Sequence, residues 1–275
     1  MPGSERAGGT AHTTGTTPGE EPLTTASRDG VRTLTLDSPR NRNALSTRLL
    51  ARLHEELEHA ERDPGTRVLL LTHTGSTFCA GADLTEASAH DAPTDAPLAL
   101  AGLLRAIVAH PKPVVARVTG HVRAGGTGLL AACDIAVAGP SATFAFTEAR
   151  IGVAPAVISM PVLPRADPRA MARYYLTGER FGPAEAARIG LVTEAADDPD
   201  EALVPVLDGL RRGSPQGLTA SKRLVTQEVL AAFDRDTGTL ADLSARLFAS
   251  DEAREGMTAF LERREPRWAR QAPTR

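Results

Sequence analysis

The sequence predicts an α/β fold, and three observations carry that prediction. Two apolar runs of strand length, Val68-Leu69-Leu70-Leu71 and Val114-Val115-Ala116-Arg117-Val118, read as buried strands. Each leads into a stretch with small residues at its tip, STFCAGADLT from Ser76 to Thr85 and GHVRAGGTGLLAACD from Gly120 to Asp134. Between the strands stand helical patterns, such as Leu49, Leu50, Leu53 and Leu57. Strands that alternate with helices indicate repeated β-β-α turns rather than a helical bundle.

In chain order, residues 1–24 are rich in Gly, Thr, Pro and Ser and predict a disordered tail. Residues 25–200 then form an α/β core, and 201–275 a C-terminal helical region. Val31 to Leu36 alternates as a strand does, Asp37-Ser38-Pro39 turns the chain, and Ser46 is placed to cap a helix that stops before Asp63-Pro64-Gly65. Residues 86–97, EASAHDAPTDAP, read as a mobile loop. A helix over 98–110 ends at Pro111 and Pro113. Ile135 to Ala138 is a further strand. From Pro168 on the pattern is helical, with Gly178 closing one helix and Gly190 another, and further helices near 201–212, 215–233 and 239–263.

The chain has 275 residues, 41% of them hydrophobic, enough to bury one substantial core. Its net charge of −3 gives no electrostatic reason to expect nucleic acid. No apolar run reaches the ~18 residues of a membrane span, and residues 1–22 hold no signal-peptide core, so a cytoplasmic protein is expected. Cys79 and Cys133 sit in apolar segments and read as small buried hydrophobes. The seven histidines show no ligand spacing, so no metal is expected.

A strand, a glycine turn and a helix start present backbone N–H groups to a ligand, with the helix dipole behind them. The stretch with Gly120, Gly125, Gly126 and Gly128 has that form, although it also suits a tight packing turn. Its spacing is not that of a dinucleotide loop. With Ser76 to Thr85 it makes two strand-end loops, which together could give one N–H each to a single oxygen.

FCAGADL followed by G-x-x-x-x-G-G-x-G-L-x-A-x-C-D resembles the crotonase superfamily, the enoyl-CoA hydratases and isomerases, and the likeness runs from about Val31 to Trp268. It includes Asn43-Ala44-Leu45 at the first helix, the Thr143 to Gly152 segment, and Leu176-Thr177-Gly178 followed by Gly190-Leu191-Val192. The resemblance implies the ClpP/crotonase-like spiral of β-β-α units with a C-terminal trimerisation region, whose helices cover a neighbouring subunit's site in a homotrimer or dimer of trimers. It implies a small-molecule acyl-CoA substrate, with coenzyme A part of the thioester and no separate cofactor. By the same likeness the N–H groups of Ala82 and Gly125 hold the thioester oxygen, and Glu148 is the catalytic acid–base group. Ala80 and Asp83, within the first motif, together with Arg40, Phe260 and Arg263, fall where the family meets coenzyme A.

Glu148 lies among Phe144, Phe146 and Ile151, surroundings that favour a neutral carboxyl and suit proton transfer. A surface glutamate, or an ion pair with Arg150 on a shared face of an extended backbone, is the competing reading. The chain departs from the family in three places. Typical hydratases carry a second glutamate three residues after the oxyanion glycine, where this chain has Gly128. Thr85 replaces a lysine, and Pro155 to Pro164 is proline-rich where many hydratases have a glycine turn. The pattern looks like the hydratase branch near the methylglutaconyl-CoA type. A Δ3,Δ2-enoyl-CoA isomerase, which needs one base, and a non-catalytic acyl-CoA binder remain open. Arg123, two positions before Gly125, either binds a carboxylate on the acyl group or points outward to a surface carboxylate.

Overall fold

The computed structural model of the chain describes residues 21–87 and 95–269. Asp29 and Gly30 both take positive φ, 50° and 77°, the backbone of a two-residue hairpin turn. They join β1 (Leu23–Arg28) to β2 (Val31–Leu36) in antiparallel register. This corrects the expected tail, because Leu23 and Thr24 are strand residues and the Leu23 side chain is buried. Residues 1–20 of that stretch lie outside the described residues.

Next comes α1 (Thr47–Arg62), where the Ser46 hydroxyl accepts a hydrogen bond from the Leu49 N–H at 3.2 Å, as the cap reading expects. Leu49, Leu53, Leu57 and Ala60 form its buried stripe, and each buried leucine contributes about 2 kcal/mol. The chain continues as β3 (Val68–His73), β4 (Thr77–Cys79), α2 (Leu84–Ala87) and α3 (Ala96–Ala109). Then come β5 (Val114–Val118), β6 (His121–Arg123), α4 (Gly125–Ala132), β7 (Ile135–Ala138) and β8 (Thr143–Ala145). Helices α5 (Ser159–Val162), α6 (Pro168–Thr177) and α7 (Pro183–Arg188) lead to β9 (Glu194–Ala195). The rest is helical: α8 (Pro199–Arg212), α9 (Pro215–Val225), α10 (Gln227–Phe248) and α11 (Asp251–Leu261). The loop expected over 86–97 is helical at both described ends, in α2 and α3, and its centre, 88–94, lies outside the described residues.

The strands form two sheets, ordered β1-β2-β3-β5-β7-β9 and β4-β6-β8, parallel throughout except for the β1–β2 hairpin. Each turn of the chain gives one strand to the large sheet, the next to the small sheet, and then passes into helix. That is the expected β-β-α spiral. The large sheet is covered on both sides, which is why β3 reads as an unbroken apolar run. Leu69 and Leu71 face the main core with α1 and α3, while Val68, Val115 and Val137 meet Leu203 of α8 on the other side. Both cysteines are buried and unpaired, as expected. Among the described residues no helix is long and apolar enough to cross a membrane.

The C-terminal helices differ from expectation. The break foreseen before 239 is absent, since α10 runs through Gly238, around which a side chain would meet nothing within 4 Å. The breaks fall instead at Thr226 and at Ala249-Ser250, where Ser250 caps α11 by accepting from the Ala253 N–H. α11 packs on its own chain, with Ala253 and Met257 against Val153, not only outward toward a neighbour.

Two buried polar groups hold these layers in register. Lys222 Nζ pairs with Asp134 Oδ2 at 2.7 Å and donates to the Ile107 carbonyl at 2.9 Å, tying α9 to the end of α4. Burial holds its pKa below the usual lysine range. Asn43, fully buried and at φ 54°, donates from Nδ2 to the Thr74 and Thr77 carbonyls and accepts from the Ser38 N–H. Asn43→Ala strands those groups and is expected to cost roughly 2–4 kcal/mol in a urea melt. An unchanged midpoint would deny the side chain this role.

Candidate active site

β4, β6 and β8 are parallel neighbours, so their C-terminal ends lie along one sheet edge. Ligands of α/β sheets bind outside such ends. Three segments follow them: Ala80 to Asp83, Ala124 to Gly126, and Phe146 to Glu148. Gly81, at φ 92°, lets the first two touch, because a Cβ there would stand 3.1 Å from the Gly125 N. Ala124 takes φ 47° and ψ −124°, a strained conformation for alanine costing about 1–3 kcal/mol. It is held by its N–H to the Ala145 carbonyl at 3.1 Å and by the Thr127 hydroxyl on its own carbonyl at 2.6 Å.

That turn starts α4 at Gly125, whose N–H belongs to the unpaired donors of a helix's first turn. A Cβ on Gly125 would lie 3.6 Å from the Ala82 N. Ala82 is anchored beside Leu45, whose N–H donates to the Gly81 carbonyl at 2.8 Å. Neither the Ala82 nor the Gly125 N–H has an acceptor among the described residues. Two free donors thus flank one space, the arrangement that stabilises a negatively charged oxygen.

Glu148 opens a 3-10 turn, Glu148–Ile151, closed by Gly152 at φ 79°. Gly152 lies flush on α11, where a Cβ would come within 2.7 Å of the Glu252 carbonyl carbon. The Glu148 side chain is buried at 7% exposure, and its Oε2 has no hydrogen-bond partner among the described residues. Burial pushes its pKa up to about 7, a rise its own backbone N–H partly offsets. The backbone is not extended here, and Arg150 is no partner, since its Nε donates to the Thr177 carbonyl at 3.0 Å. The pairing with Arg150 is therefore corrected.

A cavity of about 1140 Å³ runs from Ala82 between α1, α3, α10 and α11, lined by apolar groups including Leu45, Leu50, Val157, Phe248 and Met257. Glu148 and Gly125 do not line it, and Ala82 and Asp83 are the residues it shares with the loop pair.

The model of the family described as Enoyl-CoA hydratase/isomerase matches residues 26–271. The chain belongs to that family. It is 32% identical to the 2,3-dehydroadipyl-CoA hydratase of Escherichia coli over 236 residues, covering 85% of this chain and 92% of that one. It is 34% identical to the enoyl-CoA hydratase EchA19 of Mycobacterium tuberculosis over 248 residues, covering 85% and 91%. The crystal structure of an enoyl-CoA hydratase from Mycobacterium avium superposes with a TM-score of 0.85 at 55% identity, covering 91% of this chain and all of that one.

The family's expected coenzyme A contacts are only partly brought together. Asp83 lines the cavity but also organises its own loop, accepting from the Thr85 N–H at 3.0 Å and from Asn41 Nδ2 at 3.2 Å. The Ala80 N–H is used on the Arg42 carbonyl at 3.1 Å. Arg40 is exposed on the turn before α1. Phe260 and Arg263 are exposed and do not line this chain's cavity, and the face α11 turns to it carries Met257 and Leu261 instead. Arg254, Met257, Thr258 and Leu261 mark that face at helical spacing.

Arg123 fits neither reading made for it. Its guanidinium donates to the Val122 and Thr143 carbonyls and to the Thr143 hydroxyl, so it neither reaches the cavity nor meets a carboxylate. Burial, then Arg180, holds its pKa down to about 10. His121 is exposed and shares the Thr143 hydroxyl. Among the described residues no group of His, Cys, Asp and Glu could hold a metal ion.

The family departure at Gly128 has a packing cause. A Cβ there would stand 2.7 Å from the Ile158 Cβ and 3.3 Å from Leu104 Cδ1. Ile158, 2% exposed, comes from the proline-rich stretch that also departs from the family. Gly128→Glu alone is therefore expected to destabilise by about 1–3 kcal/mol, and Ile158→Ala in the same chain to recover part of that in thermal melts. A Gly128→Glu variant as stable as the parent would show that the side chain has another place to go.

Proposed function

We propose that this chain adds water reversibly to 2-enoyl-CoA thioesters, with Glu148 moving the protons and the Ala82 and Gly125 N–H groups holding the thioester oxygen. The observation that carries the reading is Glu148: a buried carboxyl at the strand ends, with one oxygen free of partners and a pKa of about 7. As the water oxygen attacks C3, the Glu148 carboxylate takes its proton and the electron pair of the double bond moves onto the thioester as an enolate. The two N–H groups stabilise that charge, each worth roughly 3 kcal/mol. The enolate collapses as C2 takes the proton from Glu148, which regenerates the carboxylate. Coenzyme A enters as part of the substrate, and no separate cofactor is required.

The apolar cavity supports a hydrocarbon acyl chain, since its one lining arginine, Arg254, is exposed and paired with Asp251. Arg123, facing away, gives no support to a carboxylated acyl group such as methylglutaconyl. The exposed Leu224, Val225 and Phe260 support assembly into the family's trimer or dimer of trimers, which sedimentation would count.

One observation favours a second reading. Ile158 fills the space beside Gly128, so a second carboxylate is lacking there, and a Δ3,Δ2-isomerase needs only one base to carry a proton between C2 and C4. Crotonyl-CoA and a 3-enoyl-CoA separate the two. Hydration removes the conjugated thioester absorbance of the first, while isomerisation creates it from the second. Binding without turnover of either would leave an acyl-CoA binder.

A further inference from the structure

Tyr175 on α6 is a polar group near Glu148 that the chemistry above leaves unused. Its ring lies against Phe146, centroids 4.7 Å apart, two residues before Glu148, and α6 packs on the turn that Glu148 opens. The Tyr175 hydroxyl and Glu148 Oε2 are both closed off from solvent, and neither has a hydrogen-bond partner among the described residues. They are not bonded to each other. A buried polar atom left unpaired costs about 1–3 kcal/mol, so two in one neighbourhood call for a shared partner.

We propose that the Tyr175 hydroxyl and the free oxygen of Glu148 hold the reacting water between them, which makes Tyr175 a positioning residue for hydration. A buried water needs two or more polar partners, and these two oxygens supply a donor and an acceptor. The water donates one proton to Glu148 Oε2, the proton that leaves as its oxygen attacks C3. Its oxygen accepts from the Tyr175 hydroxyl, which fixes the direction of attack and transfers no proton. Burial, and then the charge of Glu148, raise the Tyr175 pKa, so the phenol stays protonated and remains a donor. The alternative place for a second polar group, beside Gly128, is taken by Ile158 and Leu104. This inference rests on the hydration reading.

Tyr175→Phe removes only the oxygen. It is expected to lower kcat for crotonyl-CoA hydration about tenfold or more while KM stays within about twofold. It should also shift the acid limb of the pH–rate profile upward, because the bridged donor no longer favours the ionised carboxylate. Exchange of the α-protons of butyryl-CoA with deuterium from solvent uses Glu148 and the two N–H groups but adds no water, so at about pH 9, above the shifted limb, it should persist at close to the parent rate. Hydration at the parent rate with an unmoved acid limb overturns the proposal. So does an equal loss of hydration and exchange, which would make Tyr175 a packing residue. If Tyr175→Phe fails to fold, Tyr175→His, which keeps a donor, takes its place, and hydration lost as completely as exchange overturns the proposal there too. A parent chain that leaves crotonyl-CoA unchanged overturns the hydration reading along with this one, whereas an active parent with an unaffected variant overturns this one alone.

Discussion

Glu148→Gln is expected to bind acyl-CoA as the parent does, to lose at least ~10²-fold in turnover, and yet to be the more stable protein above neutral pH. The loss follows from removing the group that accepts and returns the proton. The stability gain follows from burial. An ordinary glutamate titrates near 4.5, and the fold raises Glu148 to about 7, so the folded chain holds this proton more tightly than the unfolded one. Its contribution is therefore fully present below pH 4.5 and is lost as pH rises through about 7. At about 1.4 kcal/mol per pKa unit, an ionised Glu148 costs the fold roughly 3 kcal/mol at pH 8. Glutamine carries no such cost. Melts at pH 8 should favour the variant, and melts at pH 4, below both pKa values, should nearly coincide. Parent-like turnover would remove Glu148 from the chemistry. Melts that differ equally at both pH values would remove the buried, proton-holding carboxyl.

The second large effect belongs to Ala82→Pro. Only proline deletes a backbone N–H, and Gly81, having no Cβ, is spared part of the clash that proline makes with the residue before it. With one of two donors gone, turnover is expected to fall roughly 10²–10³-fold, mostly in kcat, since the enolate gains more from the donor than the ground-state thioester does. Combined with Glu148→Gln, the losses should fall well short of their product, because the two groups serve one transition state. A folded Ala82→Pro chain with full activity would mean that the thioester oxygen sits elsewhere.

How far the sequence reached depended on the kind of signal. Period and punctuation were legible: the leucines of α1, the Ser46 cap and the Gly178 stop are local, and the structure keeps all three. The hairpin at Asp29-Gly30 had its signal too. The strand before that turn, Leu23–Arg28, has one buried side chain and so no apolar alternation to read. Gly238 misled in the other direction, since a glycine on an open helix face costs only about 1 kcal/mol and does not stop a helix held elsewhere.

At the site, motifs placed Ala82, Gly125 and Glu148 just after strands that turn out to share one sheet edge. What motifs could not give was contact between segments far apart in the chain. Ile158 over Gly128, Tyr175 beside Glu148 and Lys222 on Asp134 are products of packing. The loss of a glutamate at 128 was visible, but the side chain filling its place was not. Arg123 shows the same limit, because its proximity in sequence to Gly125 said nothing of which way a strand side chain points.

The central claim is that one carboxyl, Glu148, does the proton transfers, and the pH dependence of kcat/KM for crotonyl-CoA hydration tests it most directly. Hydration begins with the carboxylate, so kcat/KM should rise with pH through a single ionisation near 7 and then hold level to about pH 9, with no second limb. A rate that stays flat from about pH 5 to 9, or that falls away above 7, would contradict the account.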